Sequence, residues 1–92
     1  MARIVVELPS LLARFTDGAR EVEVEAHSLE SALGALTRAH PALEVHLFDE
    51  SGAFRRHVLC FVNGENTRWS KRAGVTLEQG DRVTILQAVS GG

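Results

Sequence analysis

Leu77-Glu78-Gln79-Gly80-Asp81-Arg82-Val83-Thr84-Ile85-Leu86-Gln87-Ala88-Val89-Ser90-Gly91-Gly92 closes the chain and decides how the rest is read. Gly80-Asp81 is a turn signal. From Arg82 to Gln87 the residues alternate with a period of two, the pattern of a strand. Val83 and Ile85 point to one face, Thr84 and Leu86 to the other. After Gln87 the apolar run gives way to small uncharged residues and a glycine pair. Glycine costs more backbone entropy to order than any other residue, so this ending reads as a flexible tail. A tail without side chains can enter a slot too narrow for a Cβ. The main-chain carboxylate of Gly92 is then the candidate for chemistry. The plain alternative is a frayed terminus, since chain ends are commonly disordered.

Working back from this segment, His57 to Val62 is apolar on both faces and is expected as a central strand. Alternation turns Cys60 and Val62 inward, and Leu59 and Phe61 outward. Asn63-Gly64 is a hairpin turn pair. Glu65 to Trp69 is expected to return as a short edge strand, with Trp69 packing the edge of the core. Near the start of the chain, Ile4, Val6 and Leu8 alternate with Arg3, Val5 and Glu7. Leu11, Leu12 and Phe15 then form a small apolar cluster before the turn at Asp17-Gly18. From Arg20 to Ala26 glutamates alternate with Val22, Val24 and Ala26, a half-buried strand with one solvated face. The two runs form an expected hairpin.

Ser28 is placed to cap a helix, accepting from a free N–H of its first turn. Leu29, Ala32, Leu33, Leu36 and Ala39 recur at helical spacing as one apolar stripe. Pro41 ends the helix near His40. The stretch from Pro41 to Phe48 has room for one short helical turn, and Asp49 to Gly52 is a loop. The resulting order is strand, strand, helix, strand, short strand, strand. It fits an α+β domain in which a mixed sheet of four to five strands carries one main helix on one face. The first and last strands are expected to pair in parallel at its centre. The domain spans residues 1–87 and the tail residues 88–92.

Composition excludes several classes. Ninety-two residues make one domain, and 45% hydrophobic with 24% charged residues is ordinary for a globular protein. The formal charge of −2 and the absence of a Lys/Arg cluster beyond Arg55-Arg56-His57 argue against nucleic acid as a partner. No apolar run reaches the ~20 residues of a membrane span. The first residues lack a signal peptide's apolar stretch, so the expected compartment is the cytoplasm. The single cysteine, Cys60, excludes an internal disulfide and is expected as a packed core thiol. His27, His40, His46 and His57 show no ligand pairing, and surface roles are expected for His40 and His46. No metal site is expected.

The opening hairpin, the single helix from Ser28, Phe61-Val62-Asn63-Gly64, the Gly80-Asp81-Arg82-Val83 strand entry, Ile85-Leu86 and the terminal Gly91-Gly92 together resemble the ubiquitin-like β-grasp sulfur carriers of the MoaD/ThiS family. The resemblance covers essentially the whole chain. The length, the Ala-Val-Ser-Gly-Gly ending and the long segment between helix and third strand most resemble the CysO-type branch. Molybdopterin-synthase small subunits commonly carry Pro-Pro where this chain has Gln87-Ala88.

The resemblance implies a protein cosubstrate rather than an enzyme, with no permanently bound cofactor. An E1-like activating enzyme uses ATP to adenylate Gly92, and a sulfur donor converts the adenylate to a thiocarboxylate, a covalent sulfur on Gly92. A sulfur-accepting synthase then takes that sulfur, with Ala88, Val89, Ser90, Gly91 and Gly92 entering the partner's active site. Cysteine, molybdopterin, a thiosugar or another sulfur-containing metabolite is the end product. The alternatives are a molybdopterin-synthase small subunit, or a ubiquitin-like modifier joined through Gly92 to a lysine of another protein. Docking calls for a surface, and Leu59, Phe61 and Leu86, with Val5 beside them, are expected as an apolar patch on the open sheet face. The competing expectation is that this face is covered by the segment from Leu43 to Phe48 or by a second copy.

Overall fold

The structure is a computed structural model that describes residues 2–68 and 71–87. Trp69 and the segment 88–92 lie outside the described residues. The strands are β1 (Ala2–Glu7), β2 (Glu21–Ala26), β3 (Val58–Val62), β4 (Glu65–Asn66) and β5 (Arg82–Gln87). They form one mixed sheet in the order β2-β1-β5-β3-β4. β1 and β2 make the antiparallel hairpin, with Ile4 opposite Val24. β1 and β5 run parallel, with Val6 opposite Val83, and β5 is the central strand. β3 was expected at the centre but lies one strand in from the β4 edge. Its second apolar face is the open face of the sheet.

The main helix α2 (Leu29–Ala39) starts where Ser28 caps it. Ser28 Oγ accepts from the Ser31 amide at 3.1 Å, and Ser31 Oγ accepts from the Ser28 amide at the same distance. This reciprocal pair satisfies two N–H groups that a bare helix start leaves open. Leu29, Ala32, Leu33 and Leu36 are buried against Ile4, Val6, Val24, Val83 and Ile85. Ala39, expected in that stripe, is exposed. Ten residues on from Leu29, it has rotated about 80° round the helix, past the edge of the buried arc.

The segment after β1 is more ordered than its sequence implied. It forms α1 (Ser10–Ala13) and a 3-10 turn at Arg14–Thr16. Leu12 is buried, but Leu11 is 65% exposed and not part of an apolar cluster. Neighbouring helical positions point about 100° apart, so a four-residue helix cannot bury both. After α2, a 3-10 turn at Pro41–Leu43 leads into α3 (Glu44–Leu47). Leu43 and Leu47 turn wholly into the core, so this segment seals one end of the core. His46 is half-buried rather than a surface group, its ring stacked on Phe15 at 4.2 Å.

Candidate docking face and the end of the sheet

Alternation sorts the sheet into two faces. Ile4, Val6, Val24, Val58, Cys60, Val83 and Ile85 are buried beneath α2. Leu59, Phe61, Thr84 and Leu86 take the opposite, open face, as the sequence predicted. Register brings them together: Leu59 stands directly opposite Leu86, and Phe61 opposite Thr84. Leu86 is 43% exposed, and Leu59 and Phe61 are partly covered.

Val5 does not join this group. It pairs with Arg82 on one side and Glu23 on the other, four residues along β5 from Leu86. The open face is therefore divided. Its β3/β5 half is apolar, and its β1/β2 half is charged. Arg82 sits at the division and bonds Glu7 at 3.1 Å and Glu21 at 2.9 Å. These exposed pairs contribute little to stability, but they neutralise part of the glutamate row beside the apolar half.

At the end of the sheet where β5 begins, two turns are tied together. Asn63 and Gly64 both have positive φ, 50° and 87°, as a two-residue hairpin turn with the right twist requires. Asn63 Nδ2 donates to Asp81 Oδ1 at 3.0 Å, and Asn63 Oδ1 accepts from the Arg82 amide at 3.0 Å. Asp81 Oδ2 accepts from the Glu78 amide at 2.8 Å. That backbone bond first, and Asn63 second, hold the Asp81 carboxyl below the usual carboxylate range. The hairpin and the entry to β5 thus share one polar clamp. Each turn is readable from its own dipeptide, but their meeting is not.

At the other end, β5 finishes with Gln87 opposite Val58. Gly92 and the rest of the proposed tail lie outside the described residues, so the described part of the site is the strand that leads to it. Cys60 is next to this end but chemically quiet. Burial pushes its thiol up to about 11, against the opposing pull of the Thr67 hydroxyl hydrogen bond. Among the described residues no helix is long and apolar enough to cross a membrane.

This sheet order, with one long helix across one face and a parallel β1–β5 pair at its centre, is the ubiquitin-like β-grasp. The ThiS family model matches residues 6–92. The chain belongs to the ThiS family. Among relatives of this ThiS-family chain, the sulfur carrier protein CysO of Mycobacterium tuberculosis is 32% identical over 91 residues, which is 97% of this chain and 98% of that protein. Small archaeal modifier protein 1 of Haloferax volcanii is 35% identical over 78 residues, 82% of this chain and 85% of that protein. A chain in the crystal structure of the Amycolatopsis orientalis BexX/CysO complex matches with a TM-score of 0.85 and 28% identity, covering 97% of this chain and 99% of that one. The likeness is to the CysO-type branch, as the sequence suggested, and it runs over nearly the whole chain.

Proposed function

We propose that this ThiS-family protein is a sulfur carrier that acts through the carboxylate of Gly92. The observation that carries the reading is its similarity, over nearly the full length of both proteins, to a protein named as a sulfur carrier. The reading divides the chain into a β-grasp body, residues 1–87, and a tail, residues 88–92. Fully extended, five residues reach about 16–18 Å, enough to pass from a docked body into a partner's pocket.

A carboxylate is resonance-stabilised and resists nucleophiles, so it must be activated. An E1-like partner joins Gly92 to the AMP part of ATP as a mixed anhydride and releases pyrophosphate. Hydrosulfide attacks the acyl carbon, AMP leaves, and a thiocarboxylate remains. If the donor is a persulfide, its terminal sulfur makes the bond and a thiol reduces the resulting acyl disulfide. The product is a tethered nucleophile, delivered at high effective concentration to a sulfur-accepting synthase. The protein is a cosubstrate of both partners and binds no cofactor of its own. Cysteine is the sulfur-containing product favoured by the likeness to CysO.

Relatedness to small archaeal modifier protein 1 favours one second reading, a ubiquitin-like modifier joined through Gly92 to lysine. Both readings use the same activation. Incubation of the full chain with ATP in cell extract, followed by mass measurement, separates them. A carrier gains the mass of oxygen replaced by sulfur. A modifier forms isopeptide-linked conjugates in extract, with no need for added sulfur.

A further inference from the structure

A cleft of about 540 Å³ lies between the segment 53–58 and the residues around 66–68 and 71–72. It has no part in the activation chemistry described above. Arg55, Arg56, Arg68, Lys71 and Arg72 line it, half of the ten Lys and Arg of a chain whose net charge is −2. Glu30 is the one carboxylate among the described lining residues.

The cations are not equivalent. Arg55 Nε donates to the Val45 carbonyl at 2.7 Å, and Arg72 Nη2 donates to the Gly52 carbonyl at 2.6 Å. Both also border a second groove lined by Glu44, Asp49 and Glu50, so part of their field meets carboxylates. Arg56 and Lys71 are exposed, and no described carboxylate forms an ion pair with either. They supply the charge that a ligand entering the cleft would meet.

The position of the cleft ties it to the docking face. Val58 lines it and pairs with Gln87, the last residue of β5. Leu59 lines it too and pairs with Leu86. Leu59 therefore belongs both to the cleft and to the Leu59–Leu86 pair, at the end of the sheet where the chain leaves β5. The cations come from two stretches of the chain, 55–56 and the residues at 68 and 71–72, and line one cleft with Leu59. A protein segment carrying two or three carboxylates can meet them while its neighbours cover the leucines, whereas a small anion engages the charge alone. Exposed charges of this kind act chiefly by steering encounter and rejecting wrongly charged partners.

We infer that this cleft receives an acidic segment of the partner protein that docks on the Leu59–Leu86 surface. The existence of such a partner rests on the carrier reading; the cleft's preference for acidic chain does not. The test titrates the isotope-labelled full chain with a hexaglutamate peptide at low salt, following backbone amide shifts. Hexalysine and inorganic triphosphate are run alongside. The expected result is shifts concentrated at residues 53–58, 66–68 and 71–72, none from hexalysine, and affinity reduced about tenfold in R56E/K71E. The R20E/R38E variant has the same net charge and should bind as wild type, and dispersed amide spectra report that each variant is folded. Absence of shifts at the cleft, equal loss in R20E/R38E, or tighter binding of triphosphate than of peptide at the same amides would overturn the assignment. The titration uses no activating enzyme. Failure of thiocarboxylate formation would leave a positive titration standing, and a negative titration would leave the carrier reading standing.

Discussion

Leu59 and Leu86 face each other across β3 and β5 on the side of the sheet turned away from α2. Directly opposed residues in an antiparallel pair hold their Cβ atoms about 4.5–5.5 Å apart, so the two side chains form one apolar contact. The pair lies one register step before the last residue of β5, Gln87. A partner that covers it is placed to receive whatever follows that strand.

Leu86→Asp, at the exposed member of the pair, should therefore weaken binding to the activating or accepting enzyme by about tenfold or more, with melting temperature little changed. In the free protein the new carboxylate stays hydrated, and docking must strip that water. Titration calorimetry beside thermal melting checks this. Wild-type affinity for both partners would remove the open face from the interface.

Leu36 is fully buried in the stripe that α2 lays on the sheet. Leu36→Ala should cost about 2–5 kcal/mol through lost burial and the cavity left behind. That is a large share of the stability of a domain this small. Urea denaturation measures it, and a cost under about 1 kcal/mol would mean that the helix does not pack as described.

The clamp at Asp81 has a pH signature. Its carboxyl is held below the usual range, so its stabilising effect is full above the unfolded value near 3.9 and is lost as pH falls through the lower folded value. Asp81→Asn should be less stable than wild type near pH 7, and the gap should close progressively once the pH drops below about 4. Denaturation curves across that window check the sign. A gap that widens toward acid would contradict the clamp.

Cys60 is buried, and its thiol is pushed up to about 11. At pH 8 it should resist iodoacetamide in the folded protein and react fully in denaturant, because the thiolate is the nucleophile. Cys60→Ala should leave sulfur loading of the chain intact. Rapid alkylation of the native protein would place this thiol at the surface.

The parts of this fold that were legible in sequence are those set by local chemistry. The glutamate alternation of β2, the Ser28 cap and the Asn63-Gly64 turn each depend on residues that are neighbours in the chain. Alternation also assigned Leu59, Phe61 and Leu86 to the open face, because one register step would expose Val83 and Ile85 instead. What escaped depends on meetings between distant segments. Val5 has the right parity for the apolar patch, but the parallel register with β5 puts it beside Arg82. Asn63 and Asp81, 18 residues apart, meet only once β3 and β5 are paired. Arg55-Arg56 stands out in the sequence as one small basic group, but its meeting with Lys71-Arg72 comes only when the fold lines one cleft with both. Leu11 and Ala39 carry apolar side chains at positions where the geometry of a helix turns them outward.

In the proposed function the carboxylate of Gly92 carries the sulfur. The most direct test is to incubate the full chain with ATP, an E1-like enzyme and sulfide, digest it, and locate the added sulfur by mass spectrometry, with a chain lacking Gly91 and Gly92 treated in parallel. An oxygen-to-sulfur exchange is expected only in the peptide ending in Gly92, with none in the shortened chain, whose melting temperature should match the parent. Sulfur found on Cys60, or normal loading of the shortened chain, would contradict this role of Gly92.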